Sequence, residues 1–221
     1  MSIEPGDLSG VTVGVLGGTG DQGRGLARRF ALAGLDVLIG SRQRDRAEAA
    51  AAALPGRVRG LDNRACATQA DVVIVAVPWE GHSALLTDLR EVLAGKTVVD
   101  CVNPVAFDEQ GGYPIPVEEG SACQQAAALL PDSRVVGAFH HVSAVQLLDE
   151  GRDEVDTDVL VLGDDRAATD QVSALASSVP GMRGIYAGRL RNAGQVEALT
   201  ANLIAVNRRY RAHAGLRVTD V

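Results

Sequence analysis

The sequence predicts an α/β protein, a doubly wound parallel sheet followed by a small C-terminal subdomain. Three observations carry this. Strand and helix signals alternate from the first apolar run onward. The strands read as continuous β-branched apolar runs, the pattern of strands covered on both faces. A glycine-rich turn joins the first strand to the first helix.

The elements follow in order. Residues 11–16 are a β-branched run ending in glycines, a buried strand. Helical periodicity covers 21–33, with Leu26, Phe30 and Ala33 on one face and Gly34 as the stop. A short strand spans 36–39, closed by Gly40, and an Ala-rich helix spans 43–54, stopped by Pro55-Gly56. A short strand at 57–61 and a short helix at 62–69 lead to 71–77 (DVVIVAV), the clearest buried strand, ended by Pro78. A helix over 81–93 and a strand over 96–102 follow. Residues 103–120 are rich in Gly, Pro and acids and read as an excursion over the surface. A serine-capped helix at 121–130 and a strand at 134–139 complete the alternation. Beyond about residue 145 the rhythm changes to a strand at 158–162, a helix at 166–178, a short strand at 183–187 and a long helix at 192–211. That last helix carries Val196, Leu199, Leu203 and Val206 on one side. The expected division is a nucleotide-binding domain at 9–145 and a mainly helical subdomain at 146–221 that closes the cleft.

Composition removes several functions. Hydrophobic residues at 46% and charged residues at 22% describe an ordinary globular chain of 221 residues. A net charge of -7 and aromatics at 3% disfavour nucleic acid and anionic membranes, which call for a positive field and, for single strands, exposed rings. No apolar run reaches the roughly 18 residues of a membrane span. The short acidic stretch 1–10 lacks the basic and apolar regions of a signal peptide. Cys66, Cys101 and Cys123 match no zinc spacing and read as reduced thiols of a cytoplasmic protein.

Gly18, Gly20 and Gly23 form G-x-G-x-x-G between a strand and a helix, the context that gives this motif its meaning. Glycines let the backbone turn tightly and let a pyrophosphate approach the helix N-terminus, where free N–H groups and the dipole favour anions. The domain is therefore of Rossmann type. At the end of the second strand, dinucleotide binders selective for NAD place an acid on the ribose hydroxyl. Here the position reads Ser41-Arg42, with Arg44 and Arg46 beyond. A hydroxyl and guanidinium forks suit a 2′-phosphate, so NADP(H) is expected, with Thr19 as a further hydroxyl. Arg44 reads as part of a solvated helix face.

Ligands of such sheets lie beyond the carboxyl ends of the strands. Those ends carry Pro78-Trp79-Glu80, Asn103-Pro104 and His140-His141. Trp79 is the single tryptophan; it either flanks a planar ring or packs under a loop. Two adjacent histidines in the expected crevice point to a role for at least one. His82 and His213 stand elsewhere without ligand spacing, so no metal site is expected. Neither a nucleophile elbow nor a Y-x-x-x-K pair is present.

The runs at 14–42 (GVLGGTGDQGRGLARRFALAGLDVLIGSR), 77–82 (VPWEGH), 138–144 (AFHHVSA) and 160–165 (LVLGDD) resemble F420-dependent NADP reductases nearly end to end. The resemblance implies hydride transfer between NADP(H) and the deazaflavin coenzyme F420, and a homodimer. It places Thr19, Gly20, Asp21 and Gln22 at the pyrophosphate, and Ser41, Arg42 and Arg46 at the 2′-phosphate. Relatives often carry Lys at the last of these, and Arg keeps the charge. Val77, Trp79, Gly81 and Ala144 are placed beside the nicotinamide. His140 matches a family histidine, whereas His141 is variable; orienting or protonating the reduced ring is the role expected of His140 here. The nicotinamide and deazaflavin rings would stack at about 3–3.5 Å. Arg189, Arg191 or Arg208, Arg209 and Arg211 either meet the anionic F420 tail or form a solvated face. Two other readings remain, an NADP-dependent reductase of another small substrate and a non-enzymatic NADP-binding sensor. The first calls for a carboxylate clamp that the sequence does not display.

Overall fold

The structure, a computed structural model, describes residues 8–221. Most of the stretch read as lacking a signal peptide, residues 1–7, lies outside the described residues. The first half winds β1 (Thr12–Leu16), α1 (Asp21–Leu32), β2 (Asp36–Ser41), α2 (Arg44–Ala52), β3 (Val58–Asp62) and α3 (Asn63–Gln69). It then returns through β4 (Val72–Val75), α4 (Trp79–Leu93) and β5 (Thr97–Asp100). Next come the hairpin β6 (Val105–Asp108) and β7 (Gly111–Pro114), α5 (Ala122–Leu129), β8 (Arg134–Gly137) and α6 (Ala144–Leu148). The chain closes with β9 (Thr157–Gly163), α7 (Arg166–Ser177), β10 (Met182–Gly188), a 3-10 turn (Leu190–Asn192) and α8 (Ala193–Tyr210).

Eight strands form one sheet in the order β10-β9-β8-β5-β4-β1-β2-β3. Every neighbouring pair is parallel except β8 with β9. Residues beyond 145 thus contribute two strands to the same sheet as well as α7 and α8. The two-fold pleat divides the core. Along β4, Val72 and Ile74 pack on one face with Leu26, Phe30 and Val172. Val73 and Val75 pack on the other with Leu86, Leu89 and Leu93. Both sets are buried, which is why this strand reads as an unbroken apolar run.

Three elements depart from expectation. The excursion at 103–120 contains the hairpin β6–β7, held at its turn by Asp108 Oδ1, which accepts from the amides of Gln110 and Gly111. Helix α4 begins at Trp79 rather than at 81, because Pro78 fixes an extended N-cap one residue earlier. The short helix α6, unmarked by periodicity at five residues, packs on α1 where a Cβ on Gly25 would come 2.6 Å from Leu147 Cβ.

The chain runs from β1 outward to β3 and then crosses to β4 on the other side of β1. The reversal opens a crevice at the carboxyl ends of β1 and β4, and the glycine turn lies there.

Candidate functional site at the carboxyl edge of the sheet

The glycines of the turn serve different needs. Gly17, which the sequence motif does not single out, has φ +77°, and a Cβ on it would come 2.4 Å from the Ala76 carbonyl oxygen. A Cβ on Gly18 would meet Ile39 Cγ2 at 2.8 Å, and one on Gly23 would meet the Gly17 oxygen at 2.7 Å. These three are required by the chain's own packing. Gly20 is not: its φ is -81°, and a Cβ would meet only the Gly17 oxygen, at an ordinary 3.5 Å. Gly20 is the N-cap of α1, and no side chain caps the helix. The first-turn amides are thus left for an anion arriving over Gly20. The side chains of the next two residues turn elsewhere. Asp21 pairs with Arg24 at 3.0 Å, and Gln22 Nε2 donates to the Phe139 carbonyl at 3.3 Å. Thr19 is half-buried beside them.

At the end of β2, Ser41 is buried and its Oγ accepts from the Gln43 amide at 3.2 Å. Arg44 is tied to Glu48 at 2.8 Å. Arg42 and Arg46 are exposed, and neither is ion-paired among the described residues. Asn63, at the start of α3, was not singled out by sequence. Its buried Oδ1 has no hydrogen-bond partner and lies 2.9 Å from where a Gly40 Cβ would stand.

Beyond β4, Val77 and Trp79 are half-buried, and a Cβ on Gly81 would meet nothing within 4 Å. One turn on, His82 is fully buried between Asp100 Oδ2 at 2.6 Å and Gln125 Oε1 at 3.1 Å.

At the end of β8, Phe139 takes φ +63°, turning the chain so that His140 faces inward. The His140 ring is buried, with Nε2 3.5 Å from Cys123 Sγ, and burial pushes its pKa down. Its carbonyl accepts from Asn103 Nδ2 at 2.8 Å and from Thr200 Oγ1 at 3.1 Å, joining the ends of β5 and β8 to α8. Nearby, the buried Glu197 carboxylate accepts from the Ala122 and Cys123 amides at 2.9 and 3.1 Å and so caps α5. The ligand-type atoms of Cys123, His140 and Glu197 lie within 4.8 Å of one another, a grouping that no spacing in the sequence announces. Glu197 is committed to the α5 amides, and burial raises the Cys123 thiol well above its ordinary pKa. The trio is therefore accounted for as a hydrogen-bonded cluster. His141 turns the other way, its Nε2 accepting from the Leu160 amide at 3.3 Å in β9. Ala144 opens α6, half-buried.

The adjacent order β8-β5-β4-β1-β2 brings the predicted residues along one edge: His140, Asn103, Val77 with Trp79, the glycine turn, and Ser41 with Arg42. The arginines expected at the F420 tail or on a solvated face lie apart from one another. Arg189 lies 3.8 Å from Asp164. Arg208, Arg209 and Arg211 line a cleft of about 640 Å³ between α8 and the hairpin, together with Phe107 and Ile204.

Residues 12–104 match the family described as coenzyme F420-dependent NADP oxidoreductase. An F420-dependent NADP reductase of Methanothermobacter marburgensis is 39% identical over 221 residues, covering 95% of this chain and 98% of the relative. One of Methanocaldococcus jannaschii is 35% identical, covering 95% and 98%. A solved structure from Arthrobacter sp. FB24, provisionally described as an F420-dependent NADP reductase, superposes with a TM-score of 0.82 at 28% identity, covering 95% of this chain and 100% of that one.

Proposed function

The chain belongs to the F420-dependent NADP reductase family, and on that premise we propose how its residues divide the work of an oxidoreductase that transfers a hydride between NADP(H) and F420. The observation that carries the reading is Gly20, a glycine that only an incoming ligand requires, set over an uncapped helix N-terminus beside Ser41 and two unpaired guanidiniums.

The amides at the start of α1, framed by Gly18, Gly20 and Gly23, hold the pyrophosphate. Thr19, Asp21 and Gln22 contribute backbone to that cradle, with Thr19 adding a hydroxyl. Ser41, Arg42 and Arg46 hold the 2′-phosphate through charge-assisted bonds that a ribose hydroxyl cannot repay. Val77, Trp79, Gly81 and Ala144 bound the nicotinamide side of the crevice. The two bound cofactors supply hydride donor and acceptor; alignment and exclusion of water fall to the protein. His140 serves as a neutral, inward-facing residue that fixes the end of β8, and its burial favours orientation over proton donation.

Residues 9–145 act as the nucleotide-holding part and 146–221 as the part that closes the cleft, a reading supported by the Thr200 bond to the His140 carbonyl. The anionic F420 tail is assigned to the cleft lined by Arg208, Arg209 and Arg211. A homodimer in the cytoplasm completes the reading. Three buried, unpaired cysteines suit a reducing compartment, and the acidic net charge of -7 suits small-molecule partners rather than nucleic acid. No helix among the described residues is long and apolar enough to cross a membrane.

The test is absorbance of oxidised F420 with purified protein and either NADPH or NADH. Bleaching with NADPH and little with NADH is expected. Tight NADPH binding without bleaching would leave the nucleotide assignment intact and move the acceptor to another molecule.

A further inference from the structure

The hydrogen bonds around His82 place a proton on each side of its ring. Gln125 Nε2 donates to Glu119 Oε2 at 3.2 Å, so its amide oxygen is the atom that faces His82 Nδ1 at 3.1 Å. An amide oxygen only accepts, so Nδ1 carries a proton. On the opposite side Nε2 stands 2.6 Å from Asp100 Oδ2, while Asp100 Oδ1 accepts from the Val102 amide at 2.9 Å. A bare ring nitrogen and a carboxylate oxygen repel at that distance, so a proton lies between them too. His82 and Asp100 are both wholly buried, so water cannot supply the bond. That second proton sits between His82 and Asp100, and the acceptors on both sides of the ring favour the imidazolium. Burial opposes a charge on the ring, but the Asp100 and Gln125 bonds and the Glu197 carboxylate of α8 together outweigh it and raise the His82 pKa; no cation is among these groups.

Among the described residues the ring has one aromatic neighbour. The Trp79 indole lies one helical turn before His82 on α4, with ring centroids 5.4 Å apart and planes tilted by 30°. The distance is within the range of a cation–π contact. Trp79 is the half-buried member of the stack, opening α4 just beyond the end of β4, and His82 is its buried floor.

We propose that His82 and Asp100 are positioning residues for hydride transfer, an internal ion pair whose imidazolium braces the Trp79 indole and through it the nicotinamide. The proposal rests on the reading of Trp79 as lining the nicotinamide. The brace is built from β5, α4 and α5 and touches no cofactor itself, so it can be removed without altering the pyrophosphate or 2′-phosphate sites.

The test uses the full chain and its single tryptophan. A protonated imidazole quenches indole emission, and an indole beside a bound dihydronicotinamide passes excitation to it. Asp100→Asn keeps every hydrogen bond, because the new amide accepts from Val102 and donates to a now neutral His82. Should it not fold, the double variant His82→Gln/Asp100→Asn removes both charges together. Expected are an unchanged circular dichroism spectrum, Trp79 emission about twofold higher at neutral pH, less energy transfer to bound NADPH, and single-turnover hydride transfer slowed roughly tenfold. The affinity for NADP+ stays within about twofold, since the phosphates carry it. Emission unchanged in the folded variant would overturn the imidazolium. Emission raised with energy transfer and hydride transfer both intact would overturn the positioning role. Energy transfer in the wild type needs no F420: its absence overturns the placement of Trp79, whereas its presence without F420 reduction overturns only the choice of acceptor.

Discussion

Arg29 Nε donates to the Leu147 carbonyl at 2.9 Å, and the same guanidinium reaches the carbonyls of Gln146, Asp149 and Arg152. One side chain on the helix behind the glycine turn thereby satisfies the end of α6 and the segment after it. The Arg29 side chain is almost fully buried, and burial lowers its pKa from the ordinary arginine value. Four acceptors for its five N–H donors keep it charged despite burial.

Arg29→Met keeps the apolar stem and takes the guanidinium donors away from four carbonyls, of which Asp149 keeps the Arg152 amide. We expect a loss of about 3 kcal/mol in urea denaturation, with Arg29→Lys recovering only part, because an ammonium cannot span the same acceptors. A loss under about 1 kcal/mol would show that water replaces the guanidinium.

Gly20→Ala and Gly23→Ala separate ligand approach from packing. An Ala at Gly23 drives its Cβ to 2.7 Å from the Gly17 oxygen, so stability falls by roughly 1–3 kcal/mol. An Ala at Gly20 meets no clash, so stability falls by no more than about 1 kcal/mol, the N-cap preference for Gly, while NADPH affinity falls about tenfold or more. Thermal melts with and without NADPH read both. Equal affinities for wild type and Gly20→Ala would remove the anion site from this turn.

Arg42→Ala and Arg46→Ala are each expected to weaken NADPH binding roughly tenfold to a hundredfold and to leave NADH binding unchanged. Arg44→Ala, which breaks only the exposed pair with Glu48, should change neither. Calorimetry with both nucleotides decides. A uniform loss for NADPH and NADH would place these arginines away from the 2′-phosphate.

His141 sets an acid limit. Burial, with His140 beside it, lowers its pKa to about 4, and the ring stays neutral when folded. The unfolded chain takes up a proton near pH 6.5, so it binds more protons than the folded chain between those values. Stability therefore falls as pH drops from about 6.5 to about 4, by about 3 kcal/mol in total, and then levels. His141→Gln should flatten that portion of the denaturation-versus-pH curve. An unchanged curve would assign the loss in that window to other groups. The Arg183 pair chiefly holds the Asp158 carboxyl below its ordinary range, so its contribution is complete above about pH 4 and is lost only at lower pH.

The alternation of strands and helices was readable because local periodicity and sheet burial agree. β4 is apolar at every position because both faces are covered, and α1 shows its buried face at Leu26 and Phe30. The G-x-G-x-x-G turn and the Ser41-Arg42 step were readable because backbone sterics and charge act at fixed offsets along the chain. The stripe on α8 was legible less well. Its fully buried positions include Glu197 among small residues, while Val206 is exposed, because the helix is capping α5 rather than simply covering the sheet.

By itself the sequence determined what depends on neighbours in the chain: the alternating elements, the mostly parallel sheet, the glycine turn and the basic, acid-free end of β2. Only the tertiary structure decided what depends on groups far apart in sequence. Arg29 finds its acceptors 117 to 123 residues away. The His82–Asp100 pair is made by the β4–β5 crossover, Glu197 closes α5 from α8, and Phe139 turns His140 inward instead of toward the crevice. The physical reason is that a buried charge or ring nitrogen is assigned by the partner it meets, and no residue pattern encodes that partner until the sheet has brought it within hydrogen-bond distance.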